Sequence, residues 1–399
     1  MFRLLTPLLV IALAIPCSAA DDAKPNTLTP KEIAEGWILL FDGKTTFGWD
    51  IAGKPTVREG VLVYGGDADV RASITTAFRQ YELKLEYLIE KTAKDAASVT
   101  WQHTPFEKLG ISLYRFKNWA SASLKVKNGE ISGSLEDSSN WPLIDRASIY
   151  GKINLKLLST PHNISFGVPK GNKLSLRNVK LKPLGMKPLF NGNDLSGWKK
   201  YETDPKRAKS QFTVTKDGWL SIQNGPGDLQ TTGEWSDFVL QLECRTNGDN
   251  LNSGVFFRCI PGQYQNGYEA QIQNRQARGP KTYTIEEYDP KTHKLASKKK
   301  IENWSQDFGT GAIYRRIPAR RAAAKDREWF TMTVIARGRH IATWVNGIQT
   351  VDWTDNRPEN ENPRNGCRLK KGPISLQGHD PTTDLSFRNI RIADLSEKN

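Results

Sequence analysis

Cysteine, histidine and long apolar runs are all scarce in this chain of 399 residues. It has four cysteines and five histidines, and no two cysteines are separated by just two residues. The histidines, which show no zinc-ligand spacing, are His103, His162, His293, His340 and His379. A disulfide scaffold and a dedicated transition-metal site are therefore not expected. No cofactor is indicated; acidic loops at Asp204 or Asp249 could hold calcium, but no spacing requires it.

The composition is that of a soluble globular protein with two compact units. Hydrophobic residues make up 38%, aromatic residues 10% and charged residues 25%. The 57 Lys and Arg against 43 Asp and Glu leave a net charge of +14, which favours anionic partners. Neither an aromatic-basic RNA motif nor a recognition helix is present, so nucleic acid is not a predicted partner.

The first twenty residues have the layout of a cleavable export signal. Arg3 precedes an apolar run at residues 4–15, which is too short for a stable membrane span, and small residues follow up to Ala20. Cleavage near Ala20 predicts a secreted or periplasmic protein. Lipoprotein anchoring through Cys17 is the less favoured alternative, because Pro16 stands where a small residue is expected.

Removal of the leader leaves an odd number of cysteines, so at most one bridge can form within the chain. They are Cys244, Cys259 and Cys367. Pairing of Cys259 with either of the other two is open from the sequence.

An internal repeat organises the rest of the chain. Residues 40–49 recur at 189–198, residues 81–86 at 238–243, and residues 174–179 at 385–390. The offset grows from 157 to 211, so the second copy carries about 54 additional residues in its middle. We therefore predict a leader at 1–20, a first domain at 21–185 and a second at 186–399, with the function in the second.

The pattern of the sequence is almost entirely that of β-strands separated by tight turns. Alternating or β-branched runs occur at 83–85, 240–242, 331–335 and 341–345. Helix is predicted only at 29–35, where Thr29 can cap and Pro30 suits the first turn, and around 320–326. Residues 291–300 and 356–365 are predicted to be surface loops. Each domain is accordingly expected to be an all-β sandwich or jelly roll.

One predicted strand of the second copy has a polar face. The two-residue period of residues 268–273 places Ala270 and Ile272 toward the core, and Glu269, Gln271 and Gln273 on the other side. Carboxylate and amide groups on one face suit a hydroxyl-rich ligand such as a sugar. An ordinary solvated strand face is the alternative.

The second copy resembles the 3-keto-disaccharide hydrolase family, which has a concanavalin A-like lectin/glucanase jelly roll. The resemblance rests on ordered motifs at 189–198, 252–258, 267–272, 310–314, 344–347, 374–379 and 387–391. The first copy keeps the opening and closing motifs only. The resemblance implies two tandem jelly rolls, the first degenerate, and a glycoside hydrolase activity in the second.

The family chemistry needs one base, because a ketone at C3 of a sugar acidifies the hydrogen at C2. We assign catalytic roles to Glu269 and His379, and substrate contacts to Arg258, Gln271, Asn252, Tyr314, Trp344 and Asp380. A structural ion pair for Arg258 and a spacer role for His379 are the alternatives. At the level of function, the alternative is a carbohydrate-binding protein without catalysis.

Basic residues are concentrated in the additional segment of the second copy. They are Lys298, Lys299, Lys300, Arg315, Arg316, Arg320 and Arg321. Together they suggest an anionic glycan as the carbohydrate partner, against the alternative of a solvated basic rim.

Overall fold

The computed structural model describes residues 24–91, 98–102, 110–113, 115–137, 149–150 and 160–396. The predicted leader at 1–20 and His103 lie outside the described residues. The only α-helix described is α1 (Pro30–Glu35), and two short 3-10 turns occur at Pro205–Arg207 and Gln306–Phe308.

Helix α1 begins where the sequence predicts, because Thr29 and Glu32 form a reciprocal cap. The Thr29 hydroxyl accepts a hydrogen bond from the Glu32 amide (3.2 Å), and the Glu32 carboxylate accepts one from the Thr29 amide (2.9 Å). Gly36 ends the helix with a left-handed φ of 88°. The second predicted helix is wrong: residues 320–326 form turns and bends, in which Arg320 and Arg321 bind Asp42.

Two antiparallel sheets form the first half of the described chain. Their strands are β1 (Ile38–Leu39), β2 (Trp49–Ile51), β3 (Thr56–Arg58), β4 (Val61–Gly65), β5 (Val70–Phe78), β6 (Tyr81–Lys91), β7 (Thr100–Gln102), β8 (Gly110–Ser112), β9 (Ala120–Lys127), β10 (Glu130–Asp137), β11 (Ile149–Tyr150), β12 (His162–Val168) and β13 (Asn172–Pro183). One sheet has the order β10-β9-β6-β13-β4-β3, with β1 also paired to β13, and the other has the order β11-β8-β7-β12-β5-β2.

Two further sheets and a long hairpin form the second half. Their strands are β14 (Lys187–Pro188), β15 (Trp198–Lys200), β16 (Gln211–Val214), β17 (Leu220–Gln223), β18 (Gly227–Thr231), β19 (Phe238–Thr246), β20 (Ser253–Phe257), β21 (Tyr268–Ile272), β22 (Gln276–Tyr288), β23 (Leu295–Ser305), β24 (Phe330–Arg337), β25 (His340–Val345), β26 (Ile348–Thr354), β27 (Ser375–Gly378) and β28 (Asp384–Asp394). The larger sheet has the order β16-β17-β28-β19-β24-β25-β26, with β14 on β28, and the smaller one has the order β15-β18-β27-β20-β21. Strands β22 and β23 pair only with each other.

This arrangement confirms the predicted all-β class with two jelly-roll sandwiches. The strands predicted at 83–85, 240–242, 331–335 and 341–345 lie within β6, β19, β24 and β25. The loop predicted at 291–300 is wrong from residue 295 onward, because that part pairs with β22 as strand β23. Residues 356–365 are irregular, as predicted.

Each sandwich encloses its own apolar core, and the first also packs against the second. The core of the second sandwich includes Leu240 and Leu242 of β19. Val239, which immediately precedes Leu240 in sequence, faces the opposite way and joins the core cluster of the first half, as does Trp344. The outer face of the eight-stranded sheet is therefore the surface on which the first half packs.

A glutamate, an arginine and an asparagine make the same contacts in both halves. In the first, Glu86 accepts hydrogen bonds from Arg177 Nε and Asn178 Nδ2, both at 2.6 Å, and Asn178 has a left-handed φ of 52°. The corresponding bonds in the second join Glu243 to Arg388 Nε (2.8 Å) and Asn389 Nδ2 (2.5 Å), with φ 51° at Asn389. The shared Arg-Asn pair thus fixes a bulge beside the central strand of each larger sheet.

The three cysteines of the described residues carry free, buried thiols. They are Cys244, Cys259 and Cys367. Of the two pairings left open by the sequence, neither is formed. In the described part of the chain, no helix has the length and apolarity needed to cross a bilayer.

Candidate functional site

The outer face of the five-stranded sheet is polar, because its strands alternate strictly between core and surface. In β21, Ala270 and Ile272 belong to the core of the second sandwich, which leaves Glu269 and Gln271 on the opposite face. The neighbouring strands place polar or small residues on the same face. Directly opposed residues there are Glu269 with Phe256, Gln271 with Gly254, Phe256 with Ser375, Ser375 with Gln230, and Gln377 with Asp228.

A pocket of about 290 Å³ lies over this face, with a volume near the lower end of ordinary ligand sites. Its floor comes from β20, β21 and β27, and its walls from the segments around residues 313–316 and 363–364. The lining residues are Asn252, Phe256, Gln265, Gly267, Tyr268, Glu269, Gln271, Ile313, Tyr314, Arg315, Arg316, Pro363, Arg364, Gln377 and His379. Five of the eight residues predicted from the sequence therefore lie together: Asn252, Glu269, Gln271, Tyr314 and His379.

Glu269 is the carboxyl group at the floor of the pocket. Burial raises its pKa to about 8, and nearby Asp228 adds to the shift, whereas Arg364 and Arg315 only partly oppose it. Most Glu269 side chains are consequently protonated at pH 7, so the group can donate a proton to a ligand.

His379 enters the pocket from the loop that follows β27. Its Nδ1 lies 2.8 Å from Asp380 Oδ2, and its ring is partly exposed. Partial burial would raise the pKa of Asp380, but hydrogen bonds from Thr382 and His379 outweigh that effect and lower it. An ionised Asp380 orients the imidazole and leaves Nε2 to face a ligand. Asp380 is not among the residues that line the pocket, and its contact with His379 makes it a positioning residue, while its predicted substrate contact stays a prediction.

Arg258 lies outside the pocket, and its predicted substrate contact is wrong. Strand β20 ends at Phe257, and Arg258 adopts a left-handed φ of 50°, so strand alternation no longer fixes the side-chain direction. The guanidinium is fully buried, and donates to the carbonyls of Ser236 (2.6 Å) and Arg368 (3.0 Å) and to Asp237 Oδ1 (3.0 Å). It forms the structural ion pair that the sequence left open as the alternative.

Trp344 is also not a sugar platform. It is 1% exposed in strand β25, and its indole Nε1 donates to the Leu39 carbonyl at 3.0 Å. The side chain therefore joins the two halves, on the opposite side of the second sandwich from the pocket. Trp304 on the hairpin is by contrast 58% exposed, but it does not line the pocket.

Asp228 is a buried carboxyl group that sequence reasoning missed. Its Oδ2 accepts a hydrogen bond from the Gln265 amide (2.8 Å), while its Oδ1 has no partner. Burial raises its pKa to about 6, although the hydrogen bond from the Gln265 amide opposes the shift. Alternation around Leu229 could have placed Asp228 on this polar face, but no sequence signal shows that a loop covers it.

Unpartnered acceptors are concentrated around the pocket. Asn252 Oδ1 and Gln377 Oε1 are both buried without a hydrogen-bond partner, and both residues line the pocket. Such groups are costly unless a ligand or water completes them. Among the described residues, no group of three or more His, Cys, Asp or Glu side chains could hold a metal ion.

Residues 185–393 match the model of one protein family, described as a 3-keto-alpha-glucoside-1,2-lyase-like domain. Among curated proteins, none matches the chain. Two solved structures described as putative glycosyl hydrolases from Parabacteroides distasonis are similar to part of the chain. One has 19% identity and a TM-score of 0.38, and covers 53% of this chain and 94% of its own. The other has 24% identity and a TM-score of 0.37, and covers 53% of this chain and 100% of its own. The carbohydrate-binding module CBM66 from Bacillus subtilis is similar at 13% identity and TM-score 0.31, covering 50% of this chain and 97% of the module. Structural similarity at this level says nothing about the reaction.

Proposed function

Since the chain belongs to the 3-keto-alpha-glucoside-1,2-lyase-like family, we propose that its pocket cleaves glycosides whose glucose unit carries a ketone at C3. The observation that supports this most directly is the pairing of two different proton-transfer groups in one pocket. Glu269 holds a proton at neutral pH, and His379 presents a ring nitrogen oriented by Asp380.

The reaction divides between these two residues. A ketone at C3 makes the C2 hydrogen acidic, and His379 Nε2 removes that proton. The electron pair left on C2 forms a C1–C2 double bond as the bond from C1 to the glycosidic oxygen breaks. Glu269 gives its proton to the departing oxygen, so an alcohol leaves and an unsaturated keto sugar remains. Water then adds, with its hydroxyl on C1 and its proton on C2, and the free 3-keto sugar results.

The remaining polar groups of the pocket suit binding and orientation. Asn252 and Gln377 present amides to sugar hydroxyls, and each has an unpartnered oxygen. The Gln271 amide also lines the pocket, with its Nε2 donating to a main-chain carbonyl at 3.0 Å. Tyr314 can donate its phenolic hydrogen to the oxygen at C3 as negative charge develops there. The Tyr314 ring makes an edge contact with the Phe308 ring, with 5.4 Å between the ring centres, and this contact holds it in place.

Replacement of each proton-transfer group tests the proposal. Glu269→Gln and His379→Ala should each lower the turnover of a 3-keto-glucoside by about 100-fold or more. Glu302→Gln is the matched control, because it removes an exposed carboxylate from the hairpin. Unchanged turnover in both pocket variants would refute the assignment of roles. Binding of sugars by the wild-type chain without any product would identify a carbohydrate-binding protein instead.

Export is a separate part of the proposal, and it rests on the sequence of residues 1–20. N-terminal sequencing of the protein made by its natural host would test it, with Asp21 expected as the first residue.

A further inference from the structure

The basic clusters of the sequence separate into three different environments. Lys298 and Lys299 lie on the hairpin, paired with Glu286 (3.0 Å) and Glu287 (3.2 Å). The pair Arg320 and Arg321 binds Asp42 of the first half, at 2.9 and 2.8 Å. Of the clusters named from the sequence, the Arg315-Arg316 pair reaches the pocket, and Arg364 from a distant segment joins it there.

Arg315 and Arg364 face the pocket without a carboxylate partner. Among the described residues, no Asp or Glu oxygen lies within 4.0 Å of either guanidinium, and both side chains are exposed where they line the pocket. The contacts that they do make are to uncharged groups. Arg364 donates to the Gln265 carbonyl at 2.7 Å, and the Arg315 guanidinium lies 5.3 Å from the Tyr314 ring centre.

Arg316 supports this pair instead of adding to it. Its guanidinium donates to the carbonyl of Arg364 at 2.6 Å, which fixes the backbone that carries the Arg364 side chain. Asp355 and Glu286 are close enough to offset part of its own charge. The uncompensated positive charge of the pocket therefore belongs mainly to Arg315 and Arg364.

Glu269 does not neutralise these arginines. The carboxyl is largely protonated at neutral pH, because burial outweighs the attraction of both guanidinium groups. With two exposed, unpaired guanidinium groups and a largely neutral acid, the pocket has a net positive field. A ligand group of negative charge would gain charge-assisted hydrogen bonds there without competing with a protein carboxylate.

We infer that the pocket takes a sugar bearing a negatively charged substituent, a carboxylate or a sulfate ester, held by Arg315 and Arg364. The proposed lyase reaction gives this inference its catalytic meaning, but the binding preference stands on the arginines alone. Both anion types present a pair of charged oxygens to the two-pronged guanidinium, so the shared chemistry is an oxyanion on the sugar.

Calorimetric titration of the full chain measures the preference directly. Methyl glucuronide and glucose 6-sulfate are compared with neutral methyl glucoside, and the ratio between the first two identifies the anion. The charged sugars should bind about tenfold or more tightly than the neutral one, which corresponds to about 1.4 kcal/mol. Their advantage should shrink as salt is added.

Arginine variants connect that preference to the pocket. Arg315→Gln and Arg364→Gln should each remove most of the advantage of the charged sugar and leave binding of methyl glucoside within about twofold. Arg278→Gln, which removes the same charge from exposed strand β22, should leave the advantage intact. Equal binding of charged and neutral sugars, or equally tight binding of inorganic sulfate alone, would overturn the inference.

The same variants distinguish a failure of this inference from a failure of the proposed reaction. Cleavage of neutral 3-keto-glucosides by a wild-type protein that binds charged and neutral sugars equally would refute the anion preference and leave the reaction standing. Arginine-dependent binding of charged sugars, without cleavage of any 3-keto-glycoside, would refute the proposed reaction and leave the anion preference standing.

Discussion

A Cβ atom on Gly254 would lie 2.6 Å from Oε1 of Glu269 and 2.8 Å from its Cγ. The two residues lie diagonally across the β20-β21 pair, since Gly254 opposes Gln271 and Phe256 opposes Glu269. The carboxyl group of Glu269 thus lies over the bare backbone of Gly254. Gly254 has no left-handed φ, so this position needs glycine for space and not for backbone freedom.

Gly254→Ala should therefore displace Glu269 while the sandwich still folds. We expect kcat/KM for a 3-keto-glucoside to fall by about 10- to 100-fold, because a misplacement of 1 Å can have that effect. Gly279→Ala is the matched control, since a Cβ there meets nothing within 4 Å. Wild-type activity in Gly254→Ala, with unchanged circular dichroism, would mean that the position of Glu269 is unimportant.

The pH dependence of turnover should show which way the Glu269 proton moves. With a pKa of about 8, a proton donor is active below that pH and is lost above it. We expect kcat/KM to fall about tenfold per pH unit on the alkaline side of that value. If Glu269 were the base that takes the C2 proton, the rate would instead rise as pH increases toward 8.

Stability should depend on the same titration. The folded-state pKa of Glu269, about 8, lies above its unfolded value, so the folded protein holds a proton that the unfolded chain releases. The stability that the protonated Glu269 side chain contributes is fully present below pH 4.5 and is lost progressively as the pH rises toward 8. Glu269→Gln changes the free energy of unfolding relative to wild type at each pH. We expect that change to be more stabilising at pH 8.5 than at pH 5, by roughly 1 kcal/mol or more.

Urea unfolding of wild type and Glu269→Gln at both pH values measures that difference. Glu302→Gln again serves as the control, with no pH-dependent gain expected. A Glu269→Gln effect equal at pH 5 and pH 8.5 would contradict a raised pKa.

The first half of the chain should support the wall of the pocket. Asp42 is nearly buried, and it binds Arg320 and Arg321 only a few residues after the segment that carries Tyr314 and Arg315. Asp42→Asn leaves two arginines without their anion, and we expect a loss of about 1 to 3 kcal/mol of stability and weaker substrate binding.

An exposed ion pair offers the comparison for that variant. Asp249 and Arg327 pair at 2.8 Å with side chains more than 60% exposed, so Asp249→Asn should cost less than about 1 kcal/mol. Thermal melts and substrate titrations of both variants provide the measurement. Equal losses would show that the Asp42 contact has no special role.

Local patterns predicted what depends on neighbours in the sequence. The cap of α1 follows from Thr29 and Glu32 three residues apart, and the two faces of β21 follow from the period of two. The repeated segments ending in tryptophan also have a local cause, since Trp49 and Trp198 each donate to a carbonyl nine residues earlier, at 2.6 and 2.8 Å.

Long-range contacts decided the rest of the candidate site. Arg258 was misplaced because β20 ends at Phe257 and Arg258 adopts a left-handed φ, which no local pattern in the sequence shows. Asp228 was missed because its burial, which raises its pKa, comes from segments far away in sequence, among them the loop that carries Gln265. Basic residues close in sequence also have different roles. Arg320 and Arg321 pair with Asp42, whereas Arg315 has no carboxylate partner and lines the pocket.

The sequence alone thus determined the all-β architecture, the family resemblance and the polar face of β21, because each depends on the order and spacing of residues along the chain. Only the tertiary structure decided which charges are compensated, since an ion pair forms between residues that folding brings together. The protonated Glu269, the oriented His379 and the unpaired Arg315 and Arg364 are consequences of that second kind.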